Sequence, residues 1–173
     1  MFEKGEYIVY GTTGICRVED ITTMDMAGVP RDRLYYVLSP FRQKESRIFT
    51  PVDNQKTVMR PVISREEAMQ LIDSMPDIEE LWIPNEKMRE ELYKEALRSC
   101  DCKEWVRIIK TLYTRKKKRA HAGKKMPATD ERYFRAAEEN LYSELSIPLG
   151  ISPAEVETYI TKRLDEPSME RIS

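Results

Sequence analysis

The hydrophobic pattern of this chain changes period once, and that change limits what the chain can fold into. Up to about residue 60, apolar residues come in short clusters rich in β-branched and aromatic side chains. From residue 64 onward they recur three and four apart. The first pattern is that of strands and the second that of amphipathic helices. Residues 6–10 (EYIVY), 15–21 (ICRVEDI), 34–40 (LYYVLSP) and 47–52 (RIFTPV) read as four strands. Alternation in the second places Ile15, Arg17 and Glu19 opposite Cys16, Val18 and Asp20. Turn signals separate them: GTTG at 11–14, AGVP at 27–30 and VDNQ at 52–55. Short strands in close succession, with no helix to cross over, predict a small antiparallel barrel.

The helical half opens at Ser64, where Ser and a Glu three residues on form a capping box, and a helix should run to about Ser74 before Pro76 ends it. A second helix is expected from Pro84 or Asn85, with Met88, Leu92 and Ala96 on its inner face. Asp101 and Glu104 open a third, with Trp105, Ile108, Ile109, Leu112 and Tyr113 on one stripe. A fourth carries Tyr133 or Phe134, Ala137, Leu141 and Leu145 inward. The last begins at SPAE, with Ser152 as cap, and faces Val156, Tyr159, Ile160 and Leu164 to the core. The predicted class is α+β: a small antiparallel β barrel over residues 1–63, followed by an all-α helical domain over residues 64–173. With 173 residues, 40% of them hydrophobic, the chain can bury one medium core or two small ones.

Charge is segregated along the helical half. The chain is close to neutral, at −1, yet residues 105–129 hold nine Lys and Arg and no acidic residue. Residues 64–104 hold six basic residues against twelve acidic ones. Cations near a helix C-terminus favour the macrodipole, and Gly123 is placed to end such a helix. One or two charges in the last turn satisfy that effect. The five consecutive cations Arg115, Lys116, Lys117, Lys118 and Arg119, followed by Lys124 and Lys125, exceed it. A polyanion would relieve their mutual repulsion and release counterions. Nucleic-acid backbone is the favoured partner, with an anionic membrane surface or a solvated loop as alternatives. Nothing in the run reads base edges, so contact should be largely sequence-independent.

An enzyme finds little support. The one histidine, His121, sits inside the basic run without an identifiable partner. The CDC at 100–102 lacks the second pair of ligands a structural zinc site needs, and burial explains it more simply. There is no Gly-rich phosphate loop, and paired glutamates such as Glu90 and Glu91 are adjacent, so they point to different parts of a helix surface. No catalytic residue, metal or cofactor is expected. Three cysteines without a framework fit a reducing compartment, no apolar run approaches bilayer length, and MFEKGEY lacks a secretory apolar stretch. The expected location is the cytosol. Trp105 lies on an apolar stripe and reads as core. Trp82, in ELWIPNEK, fits either inter-helix packing or an apolar wedge at a base step.

The opening FEKGEYIVYGTTGICRVEDI, LYYVL, Pro51 and the helical stretch from ALRSCDCKEW to NLYSEL together resemble the CarD/CdnL family of bacterial transcription regulators over about residues 1–165. That resemblance implies a Tudor-like first module that binds the β subunit of RNA polymerase. It implies a helical domain that contacts promoter DNA at the upstream edge of the bubble, with a tryptophan wedged into the minor groove and basic residues on phosphates. The outcome would be an altered lifetime of the open complex, in a monomeric, nucleoid-associated protein. Two arginines of the family's polymerase contact fall at Met24 and Phe49 here, and Arg47 shares the strand face of Phe49. Trp82 is the counterpart of the wedge. Lys110, Arg115, Lys116, Lys117, Lys118, Arg119, Lys124 and Lys125 are the expected phosphate contacts. An adaptor whose basic run meets RNA or an acidic protein is the rival reading.

Overall fold

The structure is a computed structural model that describes residues 1–165; residues 166–173, at the end of the predicted helical domain, lie outside the described residues. The chain divides into two compact units, Met1–Val62 and a second that begins at Ile63. Five strands make one antiparallel sheet in the first unit: β1 (Tyr7–Tyr10), β2 (Gly14–Thr23), β3 (Leu34–Pro40), β4 (Ile48–Pro51) and β5 (Met59–Pro61), in the order β4-β3-β2-β1-β5. This is a Tudor-like sheet followed by helices, an α+β chain as the sequence predicts.

Ile8, Cys16, Val18, Tyr36 and Leu38 form the core of the sheet, with Phe2, Tyr10, Ile21, Ile48, Val52 and Met59 packed around them. Strict alternation along β2 would set Ile21 on the face opposite Cys16 and Val18. A register shift between Val18 and Asp20 leaves Glu19 as an extra residue, and this bulge returns Ile21 to the core side. The fifth strand was not among the four predicted. Three residues ending in proline carry no readable period, and the strand exists because β1 supplies its ladder, with Ile8 opposite Pro61 and Tyr10 opposite Met59. Pro61 is tolerated because β5 is an edge. The GTTG turn folds as a tight 3-10 turn; Gly11 has φ +47°, and a Cβ there would sit 2.7 Å from Thr57 Cγ2. Burial pushes the Cys16 thiol up to about 11, which keeps it an inert core group.

In the second unit the caps form as predicted. Ser64 Oγ accepts the Glu67 N–H and the Glu67 carboxylate accepts the Ser64 N–H, each at 3.1 Å, opening α1 (Arg65–Ser74). Asn85 accepts the Met88 N–H at 3.2 Å ahead of α2 (Arg89–Arg98). Asp101 caps α3 (Cys102–His121), which ends where Gly123 adopts φ +72°. Next come α4 (Ala128–Leu149), closed by Gly150 in the left-handed region, and α5 (Pro153–Asp165). A short connection of residues 122–127 joins α3 and α4, which pack on each other as a helical hairpin.

Two predicted inner faces need correction. On α2 the buried residues are Tyr93 and Ala96, while Met88 is exposed and Leu92 half-buried. The Tyr93 ring lies 5.5 Å from that of Tyr133, and its hydroxyl accepts from Arg89, so the large ring takes the inner position. On α3 Trp105, Ile108 and Leu112 are buried as predicted, but Val106 replaces Tyr113, which is half-exposed. The α4 and α5 faces carry Tyr133, Ala137, Leu141, Leu145 and Val156 inward as expected. Arg163 donates to both oxygens of Asp73, at 2.8 and 2.9 Å, tying α5 to α1.

Glu144 is fully buried. Its carboxyl group accepts the Ile63 N–H at 3.0 Å and lies 3.1 Å from Cys102 Sγ. It therefore holds the first residue of the unit and the start of α3 to α4. Glu144→Ala should lower the unit's stability by about 2–4 kcal/mol, since it opens a cavity and leaves a part-buried N–H without its acceptor. Glu144→Gln keeps a carbonyl acceptor and should lose less. Urea melts followed by fluorescence check this; equal losses in the two variants would refute the hydrogen-bonding role.

Candidate nucleic-acid interface

The basic run occupies the C-terminal half of α3, and the structure divides its cations into two groups. Lys110 and Arg115 are turned inward. The Lys110 ammonium donates to the carbonyls of Met75 (2.9 Å), Pro76 (3.3 Å) and Ile78, where the chain leaves α1 through a 3-10 turn; the Met75 carbonyl also accepts the Ile78 N–H. Arg115 pairs with buried Asp130 at 2.7 Å and with Glu86 at 3.1 Å. Both charges are consumed within the unit.

Lys116, Lys117, Lys118, Lys124 and Lys125 are exposed, and among the described residues none of them makes an ion pair. Lys117 lies over the Tyr113 ring at 4.7 Å, which explains the half-exposed position of that tyrosine. Lys116 acts on Glu138, whose carboxyl is pushed above its usual range by burial, against the hydrogen bond donated by Tyr142. Arg119 Nε donates to the Lys125 carbonyl at 2.7 Å, and Arg119 O accepts the Lys124 N–H at 2.8 Å. The loop after the helix is thereby folded back, so that Lys124 and Lys125 stand at the same end as Lys116–Lys118. Five exposed cations thus gather at one corner; Glu138 acts on Lys116, and among the described residues no carboxylate forms an ion pair with any of the five.

Trp82 is 79% exposed, unlike Trp105 at 2%. An indole is among the largest apolar side chains, and leaving it in water forgoes its burial. It lies in the segment between α1 and α2, which is bound to one face of α3. The Leu81 N–H donates to Thr111 Oγ1 at 2.9 Å, Thr114 Oγ1 donates to Glu80 at 3.0 Å, and Glu86 meets Arg115. Thr111, Thr114 and Arg115 share one helix face, and Lys118 continues it one turn on. Sequence reasoning did not single out Thr111 and Thr114. Thr111, a hydroxyl on an otherwise apolar stripe, was their available signal.

The sheet-unit candidates are spread along the β3–β4 side. Phe49 is half-exposed on edge strand β4, opposite Val37. Arg47 precedes β4, its guanidinium donating to Ser39 Oγ and to the Lys44 and Ser46 carbonyls. Met24 follows β2 beyond the Thr23–Leu34 pair, about 17 Å along the strands from the Ser39 row.

A small antiparallel sheet with an open edge, joined in sequence to a helical unit with a lysine-rich corner, presents two surfaces suited to macromolecular contacts. Family comparisons agree: residues 2–63 match the CarD-like/TRCF RID domain and residues 67–161 match the CarD, C-terminal domain. The chain belongs to the CarD family. These are non-enzymatic transcription-factor domains, and the chain is accordingly a transcription factor that interacts with RNA polymerase. Comparison with curated proteins gives no match. Among the described residues no helix is long and apolar enough to cross a membrane.

Glu86 receives hydrogen bonds from Arg89 and Arg115, which hold its carboxyl below the ordinary value of 4.5. A carboxyl depressed in the folded state stabilises fully above its unfolded value and loses that contribution as pH falls through the folded one. The stability difference between wild type and Glu86→Gln should therefore be constant near neutrality and shrink only as the pH drops below about 4.5. Parallel urea melts at pH 7 and pH 3 measure it; a difference that grows on acidification would contradict the pairing.

Proposed function

We propose that this protein binds the β subunit of RNA polymerase through its sheet unit and presses its helical unit against promoter DNA at the upstream edge of the melted region, so prolonging the open complex. One observation carries the reading: Trp82, 79% exposed, is fastened to a helix whose far end bears exposed lysines that form no ion pair among the described residues. Lys116, Lys117, Lys118, Lys124 and Lys125 hold phosphates, with Arg119 bracing their loop. Trp82 enters the minor groove at the fork and resists its closing. Lys110 and Arg115, engaged internally, hold the shape of this surface instead of touching DNA. Strand β4 offers an edge to which the polymerase can add a strand, with Phe49 on it and Arg47 just before it, and Met24, past the end of β2, extends the contact. Polymerase supplies the promoter at high local concentration, so the DNA contact itself needs only low affinity.

Trp82→Ala should shorten the open-complex lifetime about five- to tenfold, the loss expected for one aromatic stacking contact of ~1–1.4 kcal/mol. A competitor-challenge decay assay measures it, and an unchanged lifetime would remove the wedge. Replacing Lys116, Lys117 and Lys118 together by Ala should flatten the dependence of log affinity on log salt by about 2–3, near one unit per lost phosphate contact. An unaltered slope would mean that these lysines do not touch the backbone. Loss of polymerase capture by Phe49→Glu would support the sheet contact, and intact capture would overturn it.

A further inference from the structure

We propose that Lys110, Thr111 and Thr114 are positioning residues for Trp82: they clamp the irregular chain leading into the tryptophan, so that the indole is aimed before DNA arrives. The inference rests on the wedge reading of Trp82 given above. Residues 78–83 have no regular secondary structure, so their backbone polar groups must find partners elsewhere. One face of α3 provides them. The Lys110 ammonium gathers the carbonyls of Met75, Pro76 and Ile78. One residue on, Thr111 Oγ1 accepts the Leu81 N–H at 2.9 Å while donating to the Arg107 carbonyl at 2.7 Å. That hydroxyl is used in both directions, and Thr111 is only 7% exposed, so water does not compete for it. A turn further, Thr114 holds Glu80 at 3.0 Å, drawing this carboxylate onto the helix. Beyond Trp82, Glu86 closes the segment against Arg115 and Arg89.

The anchors therefore fall at residues 78, 80, 81 and 86, on both sides of the indole. The side chain itself is left 79% exposed. A clamp that serves every neighbour and leaves the large apolar group free is what a pre-aimed contact requires, because an ordered segment loses little further entropy on binding. Closing the end of α1 accounts for Lys110 alone. It gives no reason for the Leu81 and Glu80 bonds, which lie past that end.

The test uses the full chain with Thr111→Val, which keeps shape and removes the hydroxyl, and Thr111→Ser, which restores it. Because Trp105 is buried, the acrylamide-quenchable emission reports Trp82. In Thr111→Val its anisotropy should fall. The open-complex lifetime should shorten about two- to tenfold, the effect of one lost hydrogen bond. Thr111→Ser should recover both. In a Trp82→Ala background Thr111→Val should shorten the lifetime no further. Unchanged anisotropy in Thr111→Val would overturn the clamp, as would a lifetime loss of equal size with and without Trp82. Should Thr111→Val fail to fold, Thr114→Val carries the same readouts. If Trp82→Ala leaves the lifetime unaltered, it is the wedge that fails, and the anisotropy comparison still decides whether the segment is held.

Discussion

Three carbonyls at the exit of α1 converge on the ammonium of Lys110, and much of the second unit's surface follows from that meeting. A helix end leaves several carbonyls unbonded, and burying them without partners is costly. Lys110 resolves this from a neighbouring helix and so fixes where the chain continues. The next residues then run along α3 and are caught by Thr111 and Thr114. Trp82 stands where it does because the path before it is determined. The acidic residues of this stretch are partly absorbed in the same way, with Glu80 on a threonine and Glu86 between two arginines.

The same helix separates two uses of positive charge. Near its middle, cations meet internal acceptors: backbone carbonyls at Lys110, then Asp130 and Glu86 at Arg115. Past Arg115 the acceptors thin out: Glu138 acts on Lys116 and the Lys125 carbonyl takes Arg119, while Lys117, Lys118, Lys124 and Lys125 stay exposed. Neighbouring acidic sequence thus does not cancel the basic corner, although the whole chain is close to neutral. Net charge describes solubility and long-range steering; the local arrangement decides where a polyanion can settle.

What could be read in advance was what local chemistry dictates. The Ser64–Glu67 box, the Asp101 cap, the glycine stop after the basic run and the SPAE start each depend on a few adjacent residues, and each forms in the folded chain. Features fixed by distant partners were out of reach. Strand β5 exists because β1 offers it a ladder. Tyr93 displaces Met88 and Leu92 from the inner face because Tyr133, forty positions away in sequence, supplies a ring to lie against. The corner lysines were visible as a run, but their separation from Lys110 and Arg115 depends on acceptors on other elements. Trp82 illustrates the limit well. Its apolar bulk fits packing or contact equally, and only its surroundings decide between them.

The bulge at Glu19 has a further consequence for how this chain can vary. Removing that single residue would leave β2 long enough to span the sheet. Beyond the cut the pairing would persist, with Asp20 opposite Val37 and Ile21 opposite Tyr36 on the core side; what would be lost is the local bend and extra twist that a bulge gives a strand. A strand tolerates few changes in count, and a bulge is the place where one residue can go without turning the rest of the strand over. Variants of this sheet can thus lose a residue at position 19 and keep Ile21 against Tyr36, giving up the local coiling of β2.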